Sequence, residues 1–297
     1  MFPYALLAGA QVAIGAAAIF ARFALTGAQP LAVAALRLLV AAAILLVAMG
    51  IRPLSVRISR KENLRLAAAG LALGAHFGLW IASLQYTPVA LSTLLVTTTP
   101  LWTALYDAVV LRRPLSVRTR SAFTTGAAGL AATVAFDRVP APVPHHALLG
   151  DALALAGGMA IAAYLLLVRT VRARLDTRGI VTRTYAWAAL TATLAALAAR
   201  QLPPLPATLP SWGGILAMAC ISQLLGHTAL NAALRWFTPS AVAFSTLLEP
   251  AIAAVLAMLV FHEALPVGVV AGGTVVLASI AVVLNDERLP AADREPA

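Results

Sequence analysis

The chain has 297 residues, 61% of them apolar and only 11% charged, with a formal charge of +10. Globular domains run near about 45–50% and 25%, so a soluble fold is excluded and an all-α integral membrane protein is expected. The lone cysteine, Cys220, excludes an internal disulfide framework, and no Cys/His grouping has zinc-ligand spacing; Cys220 is expected to be a small helix-packing residue.

Ten apolar segments follow in chain order, near 4–24, 31–50, 64–86, 89–110, 121–137, 148–168, 181–199, 212–235, 240–261 and 266–285. Each approaches the length that crosses roughly 30 Å of hydrocarbon. No positively charged region precedes the first, which is read as an uncleaved span rather than a signal peptide. Short connections predict antiparallel neighbours, with no room for a soluble domain. The proline-rich connections (Pro140, Pro142, Pro144; Pro203, Pro204, Pro206, Pro210) are expected to be extended and stiff. The polar stretch 286–297 is expected to be a disordered cytoplasmic tail.

Arginine supplies 20 of the 21 basic residues, which points to a bacterial genome of high G+C content. With the amino terminus in the cytoplasm, 17 basic residues fall on the inner side, from Arg52, Arg57, Arg60, Lys61 and Arg65 to Arg288 and Arg294. Only Arg22, Arg138 and Arg200 fall outside, and Arg37 is buried. This asymmetry places both termini in the cytoplasm. It also assigns the positive charge to lipid headgroups rather than to nucleic acid, since no basic face is interleaved with aromatics.

The chain contains itself twice. A shift of 151 carries His76 to His227, Leu79 to Leu230, Ala82 to Ala233, Thr87 to Thr238 and Pro88 to Pro239. With one deletion, Pro100 meets Pro250 and Leu115 meets Leu265. Spans three to five thus pair with spans eight to ten, so each repeat holds five helices. An odd number of crossings makes the second repeat enter the bilayer from the opposite side. The expected architecture is two inverted five-helix repeats around a central cavity, at 1–138 and 148–285, joined by a periplasmic linker at 139–147. A further echo, Arg-Pro-Leu-Ser-Val-Arg at 52–57 and 113–118, does not fit this register.

Polar groups inside hydrocarbon need a partner, a wet cavity or a task. His76 and His227 each lie 11 residues before a Thr-Pro turn, which is about 16 Å of helix and places both near the midplane. They either hold the bundle together by hydrogen bonds or bind substrate or protons, imidazole titrating near neutrality. Glu249 is the costliest residue to bury. It stands mid-span before Pro250, where a kinked or open helix is expected; it is read either as a proton or cation site or as a neutral, protonated glutamic acid hydrogen-bonded across helices. Its repeat counterpart is Thr99. Arg37 lies about 9 Å below the outer face; it snorkels outward, pairs with Glu249, or meets a substrate anion.

Trp80 and Asn231 are counterparts one turn beyond each histidine. Gln223, His227 and Asn231, spaced i, i+4, i+8, predict a single polar stripe facing inward. Tyr164, Tyr185 and Trp187 are candidates for the same cavity. Asp107 is expected to pair with Arg112, while Asp151 and Glu263 sit at outer helix ends and His145 and His146 in a loop. No Walker loop, dinucleotide glycine pattern or nucleophile elbow is present, so neither ATP-driven pumping nor a cofactor is expected.

The segments TTTPLWTALYDAVVL and LLEPAIAAVLAMLVFHEALPVGVVAGG resemble the EamA-type members of the drug/metabolite transporter superfamily. So do His76-Phe77, Trp80-Ile81, Ser83-Leu84 and Tyr86-Thr87, with Gly226-His227-Thr228, Asn231 and Leu234. The resemblance spans about residues 5–285. It implies a secondary transporter, often an exporter, of amino acids, nucleobases or other small metabolites, with a cavity formed mostly by the first four spans of each half. The acidic turn usual after the fourth helix is kept as Glu263 but replaced by Arg112-Arg113 in the first half.

The expected function is secondary transport, proton-coupled or facilitative, by a non-enzyme of the bacterial inner membrane. Glu249, His76, His227, Asn231, Gln223, Trp80 and Arg37 are its site residues, and a small metabolite, the bilayer and protons its partners. The alternatives are a membrane-embedded lipid-handling enzyme or a non-transporting structural subunit.

Overall fold

The computed structural model describes residues 2–51, 58–86, 89–112, 115–135, 147–202, 204–262 and 267–286. The first half comprises α1 (Phe2–Gly15), α2 (Ala17–Ala24), α3 (Pro30–Ile51), α4 (Arg60–Ser83), α5 (Val89–Val96), α6 (Thr99–Val109) and α7 (Val117–Ala135). The second comprises α8 (Ala147–Arg172), α9 (Thr177–Ala198), α10 (Leu209–Ala217), a π-helix (Met218–His227), α11 (Thr228–Ala233), α12 (Pro239–Ser245), a 3-10 turn (Thr246–Leu248), α13 (Glu249–Phe261) and α14 (Val267–Asp286). Every one of these elements is helical.

By length and composition, six helical stretches among the described residues can cross a membrane: Phe2–Ala24, Pro30–Ala48, Arg60–Ser83, Leu148–Arg172, Leu209–Ala233 and Pro239–Phe261. The other four apolar segments are helical too, as α5 with α6, α7, α9 and α14. Large apolar side chains such as Leu39, Val47, Leu101, Leu105, Leu194 and Leu259 point outward, a surface that suits lipid and not water.

Local chemistry sets the helix starts. Ser59 and Glu62 form a capping box ahead of α4, Asp176 accepts from Gly179 N ahead of α9, and Thr238 accepts from Ala241 N ahead of α12, with Pro239 in the first turn. The first Thr-Pro turn, Thr87-Pro88, lies outside the described residues. So do Glu263, His145, His146, all of 52–57, the linker up to 146 and the tail beyond 286. The fourth span of each half ends the same way. Arg112 and His262, counterparts in the repeat, both take left-handed backbone at φ 53° and 55°, His262 as the cap of α13 and Arg112 just beyond the end of α6.

The halves exchange neighbours rather than standing side by side. Helix α4 packs along α8 and α9; its counterpart, the rod from α10 through α11, packs along α1, α2 and α3. Counterparts also meet directly, α3 on α9 and α7 on α14, and the two broken rods touch through α6 and α12. Small residues let the backbones approach, as expected in lipid. At the α4–α9 crossing, a Cβ added to Gly70 would come within 2.7 Å of Thr184 O.

One end of the bundle is tied by charge. Arg174 Nη2 donates to Glu62 Oε2 at 2.7 Å, and Arg178 donates to Ala48 O at 2.8 Å. Asp107 corrects the expected pairing with Arg112. Its carboxylate accepts from Ser240 Oγ at 2.8 Å and pairs with Arg169 at 3.6 Å, because that face of α6 is buried against α8 and α12. Cys220 is also corrected: it is exposed on the bundle surface rather than packed within it.

Candidate functional site

Three helical rods are interrupted at mid-length. Helices α5 and α6, of eight and 11 residues, rise only about 12 and 16 Å each; the chain turns between them at Thr97-Thr98. Pro100 has no N–H to give to the carbonyl four residues back, and its ring crowds that carbonyl. The freed group is Val96 O, and the Thr99 hydroxyl donates to it at 2.9 Å. In the second half, Pro250 frees Thr246 O, and the Glu249 backbone N–H reaches it through the 3-10 turn. The third interruption is at Ala16, between α1 and α2.

These breaks surround a cavity of about 50 Å³, room for a few waters. Its walls come from counterpart rods. The first half gives Ile14 and Gly15 from α1, Ala17 and Ala18 from α2, His76, Phe77 and Trp80 from α4, and Thr93, Val96, Thr97 and Thr99 around the α5–α6 break. The second half gives Ile161 and Leu165 from α8, His227, Leu230 from α11, and Thr246, Glu249 and Ala253 around the α12–α13 break. Among the described residues, α3, α7, α9 and α14 contribute no lining residue.

Both histidines reach this cavity, with ring centroids 6.4 Å apart. Their tethers differ. His76 Nδ1 donates to Gly157 O on α8 at 3.0 Å; Nε2 is then the ring's acceptor. Trp80 stacks parallel to His76 at 6.5 Å, and its Nε1 has no partner. His227 Nδ1 is buried and likewise has no partner. Glu249, the one carboxylate among the lining residues, is partly accessible and has no hydrogen-bond or ion-pair partner among the described residues.

The expected stripe of Gln223, His227 and Asn231 does not share one face. A π-helix carries more residues per turn than an α-helix, so spacing by four no longer stacks side chains. Only His227 lines the cavity. Gln223 Oε1 accepts from Arg37 Nη2 at 3.0 Å, and Asn231 Nδ2 donates to Tyr164 Oη and to His227 O. Tyr164 and Tyr185, expected at the cavity, are fully buried outside it; Tyr185 donates to Gln223 O at 3.2 Å, and Trp187 faces Gly70. The residues that sequence patterning missed are Phe77, Gln11 and the hydroxyls of Thr93, Thr97 and Thr246. Gln11 Nε2 donates to Ser245 Oγ at 2.7 Å, joining α1 to α12.

Arg37 neither snorkels nor pairs with Glu249. It is 0% exposed, and its guanidinium carbon sits 4.0 Å above the Phe77 ring. The bond to Gln223 is worth about 1.5–3 kcal/mol and the ring contact about 2 kcal/mol when desolvated. Against these, Nε and Nη1 are buried without partners, at about 1–3 kcal/mol each, so the charge is under-compensated. Among the described residues, no three His, Cys, Asp or Glu side chains converge as metal ligands.

A search of curated proteins finds no match. Among 29 matching chains of solved structure, one crystal structure of a protein superimposes with a TM-score of 0.75 at 18% identity, covering 94% of this chain and 95% of its own. At that identity the likeness shows the fold. The EamA-like transporter family matches residues 1–135 and again 148–285. The same family pattern thus covers both halves that frame the cavity, and the chain belongs to the EamA-like transporter family, membrane transporters of the drug/metabolite transporter superfamily.

Proposed function

We propose that this protein is a secondary-active transporter, proton-coupled or facilitative, that exports a small metabolite such as an amino acid or nucleobase. The chain crosses the bacterial inner membrane ten times as two inverted five-helix repeats, residues 1–138 and 148–285, with both termini cytoplasmic. The two halves rock about the midplane and open the cavity to each side in turn. Glu249 takes up the proton or a cationic group of the cargo. His76 and His227 shape and relay, and Trp80 offers a flat wall. Asn231, Gln223 and Arg37 form the polar layer behind.

The observation that carries this reading is Glu249, a carboxylate on the cavity wall at a helix break, with no partner of its own. A carboxylate so placed in hydrocarbon needs a proton or a cation. Purified protein in proteoliposomes under an imposed pH gradient tests it. Counterflow of a small metabolite that responds to the gradient, and stops responding in Glu249→Gln with thermal unfolding unchanged, is the expected outcome. Gradient-driven flux that persists in the variant overturns the role of Glu249.

A further inference from the structure

We infer that Arg37 is a concealed recognition site for an anionic group, a carboxylate of the cargo, and that Phe77 is the door in front of it. The inference rests on the transport reading above and narrows its cargo to carboxylate-bearing molecules, which nucleobases are not.

The geometry of three side chains leads here. Arg37 carries a permanent charge at 0% exposure. One of its nitrogens reaches a neutral amide oxygen, while Nε and Nη1 reach nothing. A guanidinium is built for two parallel bonds to a carboxylate, and in the bundle interior none of the described carboxylates answers it. Phe77 divides Arg37 from the cavity. The ring lies 4.0 Å from the guanidinium on its face, meets the His227 ring edge-on at 5.1 Å and 89°, and is itself a wall of the cavity. Arg37 is not a wall residue. Rotation of one aromatic side chain therefore exchanges a cation–π contact for an open path from cavity to guanidinium. The cavity meanwhile holds Glu249 on its second-half side. A cargo bearing both an ammonium and a carboxylate answers both charges, the ammonium at Glu249 and the carboxylate at Arg37.

The closed door also sets an affinity penalty. Only the fraction of molecules with Phe77 displaced binds the anion, so apparent affinity falls by that fraction, and a smaller residue at 77 restores it.

Thermal unfolding of the full-length protein in detergent is measured with each common L-amino acid and, beside it, its primary amide, which keeps shape and ammonium and removes the anion. The expected result is that at least one acid raises the unfolding temperature and its amide, at equal concentration, does not. Arg37→Gln loses that response, and Phe77→Leu reaches half-response at a several-fold lower concentration of the same acid. Equal responses to acid and amide in the unaltered protein, or no response to any acid, overturn the inference whether or not the variants fold. Counterflow of the responding acid separates the two readings. Binding without flux removes the transport reading and leaves the anion site standing. Flux of amide as fast as acid removes the anion site and leaves transport standing.

Discussion

Thr99 and Glu249 occupy the same position in the two repeats, each one residue before a proline that breaks its rod. Thr99 turns its hydroxyl back on the helix and satisfies Val96 O, with a longer contact to Gly158 O at 3.4 Å. Glu249 does nothing of the kind. Its backbone N–H serves the freed carbonyl of Thr246, and its side chain is left to the cavity. The break is thus a shared architectural device, and the difference lies in who repairs it. One half uses its polar side chain for structure, and the other keeps a carboxylate available for chemistry. The histidines repeat the lesson: His76 is anchored to Gly157 O, whereas His227 Nδ1 has no partner.

The largest effect expected from this contrast is on transport. Glu249→Thr makes the second break resemble the first and should remove gradient-driven flux in proteoliposomes. The unfolding temperature should hold or rise, since an unpaired carboxylate leaves the interior; flux equal to that of the unaltered protein would dissolve the distinction. Next come the histidines. His76→Leu removes the bond to Gly157 O, which keeps its backbone partner within α8, and should lower stability by about 0.5–1.5 kcal/mol, read as the midpoint of denaturant unfolding in detergent. His227→Leu removes a nitrogen that already lacks a partner and should cost clearly less while changing flux more. Reversed rankings would exchange the two roles. Thr99→Val should cost about 0.5–1.5 kcal/mol and leave flux in place, a test of the claim that this hydroxyl serves the helix. The smallest change is expected from Arg174→Gln at the tied end of the bundle, because Arg174 is largely exposed and such pairs contribute little.

Much of the fold was legible because lipid imposes a simple code. Apolar runs mark helices, and the duplicated Thr-Pro and His positions give the register that the packing of counterpart rods obeys. The left-handed turns at Arg112 and His262 show that backbone can repeat where side chains have diverged. The candidate site was legible only in part. Spacing brought both histidines and Glu249 to one depth, and their side chains line one cavity. The orientation of Gln223 was not legible, because nothing in the residues from Met218 to His227 announces a π-helix, and its wider turn redirects that side chain; Asn231, beyond it in α11, is claimed by Tyr164. Phe77 was hidden for the opposite reason. In so apolar a chain one more aromatic carries no signal until a buried cation is found against its face. Asp107 shows the limit of nearness in sequence: Arg112 is close along the chain, yet Arg169 and Ser240 are its partners across the halves.

The central claim is that the cavity between the repeats opens to both faces of the membrane in turn. Ala253→Cys, placed on the cavity wall of a chain whose one native cysteine, exposed Cys220, has been replaced by serine, tests it directly. Labelling with a membrane-impermeant maleimide is compared in intact cells and in inverted vesicles, with Leu259→Cys on the outer, lipid-facing surface as control. The expected result is labelling of position 253 from each side and of position 259 from neither. A cysteine at 253 that stays unlabelled from both sides would contradict the claim.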